Sequence, residues 1–267
     1  MEVVEQELDR ALKLEPSGAG VWSAVADPKY ESANGMLGGW TTAVALRAVT
    51  NSATVEAEPS VINVNFVAKI EPHSKLIIQT RRVGSSRAIS HWMAELMSED
   101  APGTLATASV VLAERRPSDG HIDIHVPSAP DPDSLELLYP APGTAGERCA
   151  MRPIEGFPLF DRTTTYSTAW VKEISGRSVD HLQLVFLSDF GAPRSFYWSD
   201  GPRPSATLAL SVYFHATSRE LAEVGDDYLL SEAFGTCGAW STSEEHLRLW
   251  SRGGALLSSS VQMAWYR

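Results

Sequence analysis

The chain has 267 residues, 43% of them hydrophobic and 21% charged, which is enough for one large globular domain or two of ordinary size. A formal net charge of −11 argues against nucleic acid as a partner, because phosphate-binding proteins need a basic surface. No stretch approaches the roughly 20 apolar residues that span a bilayer, and the N-terminal residues do not resemble a signal peptide. We therefore expect a cytoplasmic protein without a membrane span.

The first predicted element is a helix that follows the glycine-rich stretch NGMLGG. Gly35, Gly38 and Gly39 precede a run rich in alanine and valine that stops at Asn51. This pattern predicts a buried helix of about four turns, whose glycines allow close approach of another backbone. Four segments with strand-like alternation come next, separated by turn signals: SVINVNFVAKI, SKLIIQTRRV, AISHWMAELMS and TLATASVVLAE.

A proline-rich segment divides the chain. Residues 117–158 contain eight of the sixteen prolines, and proline is poorly tolerated inside a long helix or a central strand. We interpret the segment as an extended linker that wraps a surface or crosses between subdomains. The predicted organisation is therefore an N-terminal repeat at 1–116, the linker at 117–158 and a C-terminal repeat at 159–267. The two cysteines, Cys149 and Cys237, have no CxxC spacing or neighbouring histidine cluster, so we expect free thiols, no metal site and no cofactor.

The second half repeats the element order of the first. TTTYSTAWVKEI is predicted to be a strand, VDHLQLVFLSDF a helix, and four more strand-like segments follow. The stretch from Gly84 to Gly103 aligns without gaps to the stretch from Gly235 to Gly254, at a displacement of 151 residues. EPSVINVNF also resembles RPSATLALS at a displacement of 145. These matches predict the duplication of one unit, a helix followed by long antiparallel strands.

The repeat comparison singles out two polar residues of the second half. At these displacements Thr207 corresponds to Ile62, and Gln262 corresponds to Val111. Strand alternation predicts one face with Thr207, Ala209, Ser211 and Tyr213, and another with Ser258, Ser260 and Gln262. Two interpretations follow from the pattern. Either both polar faces meet solvent, or both line a pocket that only the second half has made polar.

Asp189 ends the predicted second helix. Leu182, Val185, Phe186 and Asp189 are spaced at i, i+3, i+4 and i+7, which places them in one stripe of a helix. The acid is therefore aligned with apolar residues that should face the sheet. The pattern also allows a frayed helix end at which Asp189 meets solvent.

Two helix-and-sheet repeats in one chain resemble the double hotdog fold, and the sequence is similar to the acyl-CoA thioesterase II group and its thioesterase-like relatives. The stretches that carry this resemblance are NGMLGGWTTAVALRAV, VNFVAKIEPHSKLIIQTRRVGSSRAIS, LSDF, ATLALSVYFH and GGALLSSSVQMAWYR. The fold that it implies is of the α+β class, with two repeats that each wrap a long antiparallel sheet around a central helix.

The resemblance also implies a site and a substrate. Asp189, Thr207 and Gln262 match the aspartate, threonine and glutamine that hold and activate a water molecule for attack on an acyl-CoA thioester. Backbone N–H groups of Gly38 and Gly39 are candidates to stabilise the oxyanion or to contact substrate, because a helix N-terminus favours negative charge. Basic residues should lie near the anionic CoA moiety, and the candidates are Arg81, Arg82, Arg87 and Arg203.

Other functions are weighed against this one. A non-catalytic module that binds acyl-CoA or an acyl carrier would keep the pocket without the water chemistry. A hotdog hydratase would need an Asp/His pair in a characteristic local run, which the sequence lacks, and a purely structural role is a further alternative. A serine hydrolase, a dinucleotide enzyme and a zinc peptidase are disfavoured because GxSxG, GxGxxG and HExxH are absent. A monomer is compatible with a double hotdog, whereas exposed sheet edges favour a homodimer or a larger homo-oligomer.

Overall fold

The structure is a computed structural model that describes residues 6–53, 57–139 and 144–267. Residues 1–5 of the predicted N-terminal repeat and 140–143 of the predicted linker lie outside the described residues. The helices within the described residues are α1 (Glu7–Ala11), α2 (Gly38–Ser52), α3 (His181–Leu187) and α4 (Ser218–Val224). The predicted four-turn helix after the glycine-rich stretch is confirmed by α2, and the predicted helix of the second half by α3.

The strands of the first half are β1 (Glu15–Gly18), β2 (Val21–Val25), β3 (Glu31–Ser32), β4 (Gly35–Met36), β5 (Glu58–Phe66), β6 (Lys75–Ser85), β7 (Ile89–Ser98) and β8 (Thr104–Ala113). Those of the second half are β9 (Cys149–Glu155), β10 (Ser167–Glu173), β11 (Ser205–Phe214), β12 (Leu229–Phe234), β13 (Gly238–Ala239), β14 (Thr242–Trp250) and β15 (Leu256–Tyr266). All the segments predicted as strands are confirmed.

One antiparallel sheet runs through both halves of the described chain, in the order β1-β2-β6-β7-β8-β5-β11-β15-β14-β12-β10-β9, with β13 paired to β14. The core lies on the concave side of this sheet, around α2 and α3. Helix α2 is buried on nearly its whole circumference, as expected of a helix enclosed by a sheet. Strand β8 alternates accordingly, because Ala106, Ala108, Val110 and Leu112 are buried and their neighbours are partly exposed.

The two halves join at the pairing of β5 with β11. The paired segments run from Val61 to Asn65 in β5 and from Ala209 to Tyr213 in β11, and they coincide at a displacement of 148 residues. The two strands also end at equivalent residues, Phe66 and Phe214, at this displacement. The predicted displacement of 145 for this strand is therefore wrong, and Thr207 corresponds to Pro59 rather than to Ile62.

A β-bulge explains a second difference from the prediction. The register of β5 against β8 shifts between Pro59 and Val61, and that of β11 against β15 shifts between Thr207 and Ala209. These two bulges are equivalent at the displacement of 148. The residue added at Leu208 reverses the alternation, so Thr207 lies on the core face. The predicted common face of Thr207 with Ala209 is therefore wrong.

The proline-rich connection covers the outside of the second half. Trp170 Nε1 donates to Pro130 O at 2.8 Å, and a small cluster of Trp170, Leu230 and Trp250 packs against apolar residues of the connection, among them Leu135. Strand β9 lies inside the segment predicted as linker. It pairs with β10 at the sheet edge, where a proline such as Pro153 is tolerated. The division at 117 and 158 remains a prediction.

Candidate active site

Asp189 stands in the turn that follows α3. The helix begins at the N-cap Asp180, whose side chain accepts from the Gln183 N–H, and it ends after two turns at Leu187. Val185 and Phe186 of the predicted stripe are fully buried. Asp189 itself is partly buried, and its carboxylate faces the N-terminus of α2 rather than open solvent. The inward orientation predicted by the stripe is therefore the one that the structure shows.

The N-terminus of α2 approaches this carboxylate closely. The Gly39 N–H donates to Asp189 Oδ2 at 2.8 Å. A Cβ atom at Gly39 would lie 2.3 Å from Phe186 O, and one at Gly38 would lie 2.8 Å from Asp189 Oδ2. Gly39 is therefore required by the close approach of the α3 backbone, and Gly38 leaves room for the Asp189 carboxylate. Of the two donors predicted for an oxyanion, Gly39 donates directly to the carboxylate, and the N–H of Gly38 also stabilises its ionised form.

Thr207 and Gln262 meet Asp189 from the sheet. Thr207 Oγ1 lies 3.4 Å from Asp189 Oδ1 and 3.1 Å from Gln262 Oε1. The bulge at Leu208 makes this geometry attainable, because it turns Thr207 onto the face that also carries Gln262. The structure thus brings together the three residues that the sequence singles out.

The last strand supplies a buried polar face. Ser258 and Ser260 are 0% and 3% exposed, and they lie opposite Phe214 and Val212 of β11. The predicted common face of these serines with Gln262 is confirmed. Of the two interpretations of the pattern, the structure supports a polarised interior over a wet surface for this strand.

Two further charged residues adjoin the site, and the sequence analysis did not single them out. Glu245 lies directly opposite Gln262 in the pairing of β14 with β15, and it accepts from Gln262 Nε2 at 2.8 Å. Its second oxygen forms an ion pair with Arg194. Both residues are nearly inaccessible, at 5% and 3% exposure. Strand alternation contained the signal for Glu245, since it shares a face with Leu247 and Leu249, but no local pattern marks Arg194.

The surroundings of Asp189 alter its acidity. Burial is the main cause that raises the pKa of Asp189 to about 7, and the negative charge of Glu245 adds to the rise. Hydrogen bonds from Gly39, Thr207 and Gly38 act in the opposite direction, because they stabilise the ionised form. A carboxyl group with a pKa near neutrality can exchange a proton at physiological pH, which is the property that a general base requires.

A small cavity with both apolar and polar walls lies beside the site, and Ser167, Arg194 and Ser231 are among its lining residues. It has a volume of about 20 Å³ and adjoins Phe190 and Gly191, which follow Asp189 in the chain. Met151, Phe157 and Leu247 contribute apolar walls.

The basic residues predicted near CoA are distributed unevenly. Arg203 precedes β11 by two residues, and its guanidinium lies 5.6 Å from the ring centroid of Tyr266 at the end of β15. Arg81, Arg82 and Arg87 are exposed on β6 and the β6–β7 hairpin. Three strands separate β6 from β11 in the sheet. The structure therefore brings Arg203 to the end of β11 that carries Thr207, and it places the other three in the first half.

Neither a metal site nor a membrane-spanning helix is found in the described part of the chain. Within residues 6–53, 57–139 and 144–267, no cluster of three or more His, Cys, Asp or Glu side chains could hold a metal ion. No helix in these ranges has the length and apolar character needed to cross a bilayer.

Family models match both halves of the sequence. Residues 26–113 match the acyl-CoA thioesterase N-terminal domain, and residues 123–266 match the acyl-CoA thioesterase C-terminal domain. No curated protein matches the sequence.

Solved structures share the fold over nearly the whole chain. A hotdog-fold protein of unknown function from Alicyclobacillus acidocaldarius is 25% identical and superposes with a TM-score of 0.93, covering 99% of each chain. A tesB protein from Mycobacterium avium subs paratuberculosis is 18% identical, with a TM-score of 0.80 and 98% of each chain covered. The acyl-CoA thioesterase II TesB2 from Mycobacterium marinum is 14% identical, with a TM-score of 0.75 and coverage of 97% of this chain and 96% of that chain. These similarities confirm the predicted double hotdog fold.

Proposed function

The chain belongs to the acyl-CoA thioesterase family, and from this premise we propose that it hydrolyses acyl-CoA thioesters at Asp189, Thr207 and Gln262. Family membership supports thioester hydrolysis in general. The observation that carries the residue assignment is the convergence of the three side chains near the N-terminus of α2, where the Thr207 hydroxyl lies within hydrogen-bonding distance of both Asp189 and Gln262.

In the proposed reaction Asp189 is the general base. Its ionised carboxylate takes a proton from a water molecule, and the resulting hydroxide attacks the carbonyl carbon of the thioester. When the tetrahedral intermediate collapses, the C–S bond breaks and the sulfur leaves with the bonding electron pair. The proton held by Asp189 is then available to the thiolate, so that the products are the free acid and the thiol.

Thr207 and Gln262 orient the reacting groups in this proposal. The Thr207 hydroxyl is close enough to share its proton between Asp189 Oδ1 and Gln262 Oε1. A water molecule held against these oxygens would face Asp189 with a defined orientation, which lowers the entropic cost of attack.

The N-terminus of α2 is proposed to stabilise negative charge throughout the reaction. In the resting site its N–H groups hold the Asp189 carboxylate. As the carboxylate is neutralised, the charge moves to the substrate oxygen, and the positive end of the helix dipole still favours it there. Gly38 and Gly39 therefore keep their proposed role near the oxyanion, although Gly39 also binds the base.

A panel of acyl-CoAs assayed with a thiol-reactive dye tests the proposal. We expect release of free thiol together with the matching carboxylic acid. Saturable binding of acyl-CoA without thiol release would contradict hydrolysis and favour a binding module. Loss of enoyl absorbance from a 2-enoyl-CoA, again without thiol release, would instead identify a hydratase. A cytoplasmic location, a role in fatty acid metabolism and a homo-oligomeric state remain predictions beside this proposal.

A further inference from the structure

The amide of Gln262 lies between an acceptor and a donor, since its Nε2 donates to Glu245 and its Oε1 accepts from Thr207. On one side Glu245 presents a carboxylate oxygen 2.8 Å from Nε2. On the other side Thr207 presents a hydroxyl 3.1 Å from Oε1. A carboxylate can only accept hydrogen bonds, whereas a hydroxyl can donate or accept. Glu245 therefore determines which end of the Gln262 amide faces Thr207.

Arg194 fixes Glu245 in its turn. Its Nε atom pairs with Glu245 Oε2, and its guanidinium lies 4.3 Å from the ring centroid of Tyr197. Its other nitrogens donate at 2.9–3.0 Å to three acceptors: Thr165 O and Ser167 Oγ at the start of β10, and Ala192 O in the connection after α3. Because these bonds fill the fork of the guanidinium, Glu245 has little freedom to turn away from Gln262.

The orientation of the Gln262 amide matters because of the hydrogen bonds that Thr207 can make. Its hydroxyl has one hydrogen but lies near two acceptor oxygens, Asp189 Oδ1 and Gln262 Oε1. Both contacts are hydrogen bonds at once only if Asp189 is protonated, since it then donates to Thr207 while Thr207 donates to Gln262. When Asp189 is ionised, it accepts a hydrogen bond from the Thr207 hydroxyl. Gln262 Oε1 is then left as an acceptor that can bind a hydrogen of a water molecule.

We propose that Glu245, held by Arg194, is a positioning residue that fixes the Gln262 amide with its oxygen toward Thr207 and makes Gln262 a hydrogen-bond acceptor during catalysis. This inference rests on the proposed hydrolysis and adds two residues to its machinery. Neither residue needs to touch the substrate, because Glu245 acts through Gln262 and Arg194 acts through Glu245.

Glu245 also contributes charge to the site. The groups that bear on Asp189 are the Glu245 carboxylate from β14, the Thr207 hydroxyl from β11 and the N–H groups of Gly38 and Gly39 from α2. Glu245 raises the pKa of Asp189, and the other three lower it. Loss of the Glu245 charge should therefore make Asp189 a stronger acid.

The test is the variant Glu245→Gln, which keeps the shape of the side chain and removes its charge. A glutamine can donate as well as accept, so the Gln262 amide loses its enforced orientation. We expect kcat to fall about tenfold, the value of roughly one hydrogen bond, with KM for acyl-CoA within about twofold of wild type. We also expect the acid limb of the kcat–pH profile to move to lower pH. Wild-type kcat and an unmoved acid limb would overturn the proposal.

Two companion variants keep the result interpretable. Glu244→Gln removes the same charge from the neighbouring residue, which pairs with His246 outside the site, and should leave both kcat and the acid limb unchanged. If Glu245→Gln fails to fold because Arg194 is left unpaired, the double variant Glu245→Gln/Arg194→Met removes both charges, a replacement that buried ion pairs often tolerate. The same fall in kcat is expected there, and wild-type kcat would contradict the positioning role.

A readout that does not need turnover separates this inference from the proposed function. The side-chain amide signals of Gln262 in a ¹H–¹⁵N spectrum, assigned by their loss in Gln262→Leu, report the hydrogen bond to Glu245. We expect them to shift in Glu245→Gln and to titrate near pH 7 in wild type, as Asp189 ionises. If wild type hydrolyses no acyl-CoA while these shifts occur, the proposed function fails and the positioning stands. If the signals shift neither in Glu245→Gln nor with pH, the proposed positioning is wrong.

Discussion

The two repeats share a backbone but differ in the residues at equivalent positions. Each has a β-bulge at the same place in the strand that joins it to the other repeat, Pro59–Val61 in β5 and Thr207–Ala209 in β11. At this bulge the first repeat has the buried Pro59 where the second has Thr207. The strand pairing equates Gln262 with Val110, so the predicted correspondence with Val111 is wrong by one residue. Gln262 lies opposite Leu210 and Val110 lies opposite Ile62, and these two partners correspond at the displacement of 148. The bulge is therefore a property of the scaffold, and only the second repeat uses it to present a polar side chain.

The helices differ in a way that complements the strands. Helix α2 has 15 residues, whereas α3 has seven. The early end of α3 leaves Asp189 at the N-terminus of α2, where N–H groups without helical partners are available. The first repeat thus contributes backbone donors to the candidate site, and the second contributes the side chains.

Removal of the acid from the second repeat should have the largest effect. Asp189→Asn keeps an acceptor for the Gly39 N–H but cannot take a proton, so kcat should fall by about 10³, within the range for a general base. Thiol release from acyl-CoA measures the loss, and Asp100→Asn on the exposed β7–β8 turn is the matched control. Retention of full activity would remove Asp189 from the mechanism.

The same variant should be more stable than wild type at high pH. The pKa of Asp189 is raised from 3.8 to about 7 in the folded state, so the free energy of unfolding falls as the pH rises between these two values. The cost of the ionised carboxylate is fully present above pH 7 and absent below about pH 4. Asparagine removes the cost, and we expect a higher Tm for the variant at pH 8 and a smaller difference toward pH 4. A lower Tm at pH 8 would show that the substitution damages the fold.

The pH profile of the wild-type enzyme should show the second largest change. Asp189 acts as a base only when ionised, and its pKa is raised to about 7. The value of kcat/KM should therefore rise about tenfold per pH unit below 7, or roughly a hundredfold between pH 5 and 7, and then level off. A limb centred near pH 4 would instead indicate a solvated carboxyl group.

The variant Thr207→Val makes β11 of the second repeat resemble the apolar β5 of the first repeat. It keeps the shape of the side chain and removes the hydroxyl, so activity should fall about tenfold to a hundredfold, as for a hydrogen bond to a charged group. The acid limb should move to higher pH, because the Thr207 hydroxyl lowers the pKa of Asp189. Ser211→Ala, on the opposite face of β11, is the control and should remain active.

The smallest expected effect on turnover tests the contribution of the first repeat. In Gly39→Ala the new Cβ would meet Phe186 O at 2.3 Å, so the helices must separate, and the free energy of unfolding should fall by about 1–3 kcal/mol. The Gly39 N–H would move away from Asp189, and kcat should drop severalfold. Denaturant unfolding measures the first effect, and Gly84→Ala, which has no atom within 4 Å of the added carbon, should cause neither. Wild-type stability and turnover would refute the close contact.

Much of the fold follows from patterns within single segments. The alternation in β5–β8 and the alanine-rich run of α2 are local signals, and their order repeats in the second half. Register is less accessible, because one residue added at Leu208 reverses the face of Thr207 without any change in composition. The displacement of 145 matches the letters of EPSVINVNF and RPSATLALS, whereas the paired strand positions correspond at 148.

Local sequence patterns mark some residues of the candidate site and leave others unmarked. The spacing of Asp189 with Val185 and Phe186 contained its inward direction, but its protonation depends on α2, which is 150 residues away in sequence. Glu245 shares the inward face of its strand with leucines, a pattern that could have identified it. Arg194 lies in an irregular connection, and only the folded structure shows that it reaches Glu245.

The seam between β5 and β11 has a consequence for biosynthesis. Asn63 and Ser211 pair in the finished protein but are 148 residues apart, so β5 leaves the ribosome long before its partner exists. At roughly 5–20 residues per second the interval is about 7 to 30 s. During that time the first repeat carries a bare strand edge, which is a template for aggregation. The nascent first repeat is therefore the stage at which this chain would most benefit from a chaperone.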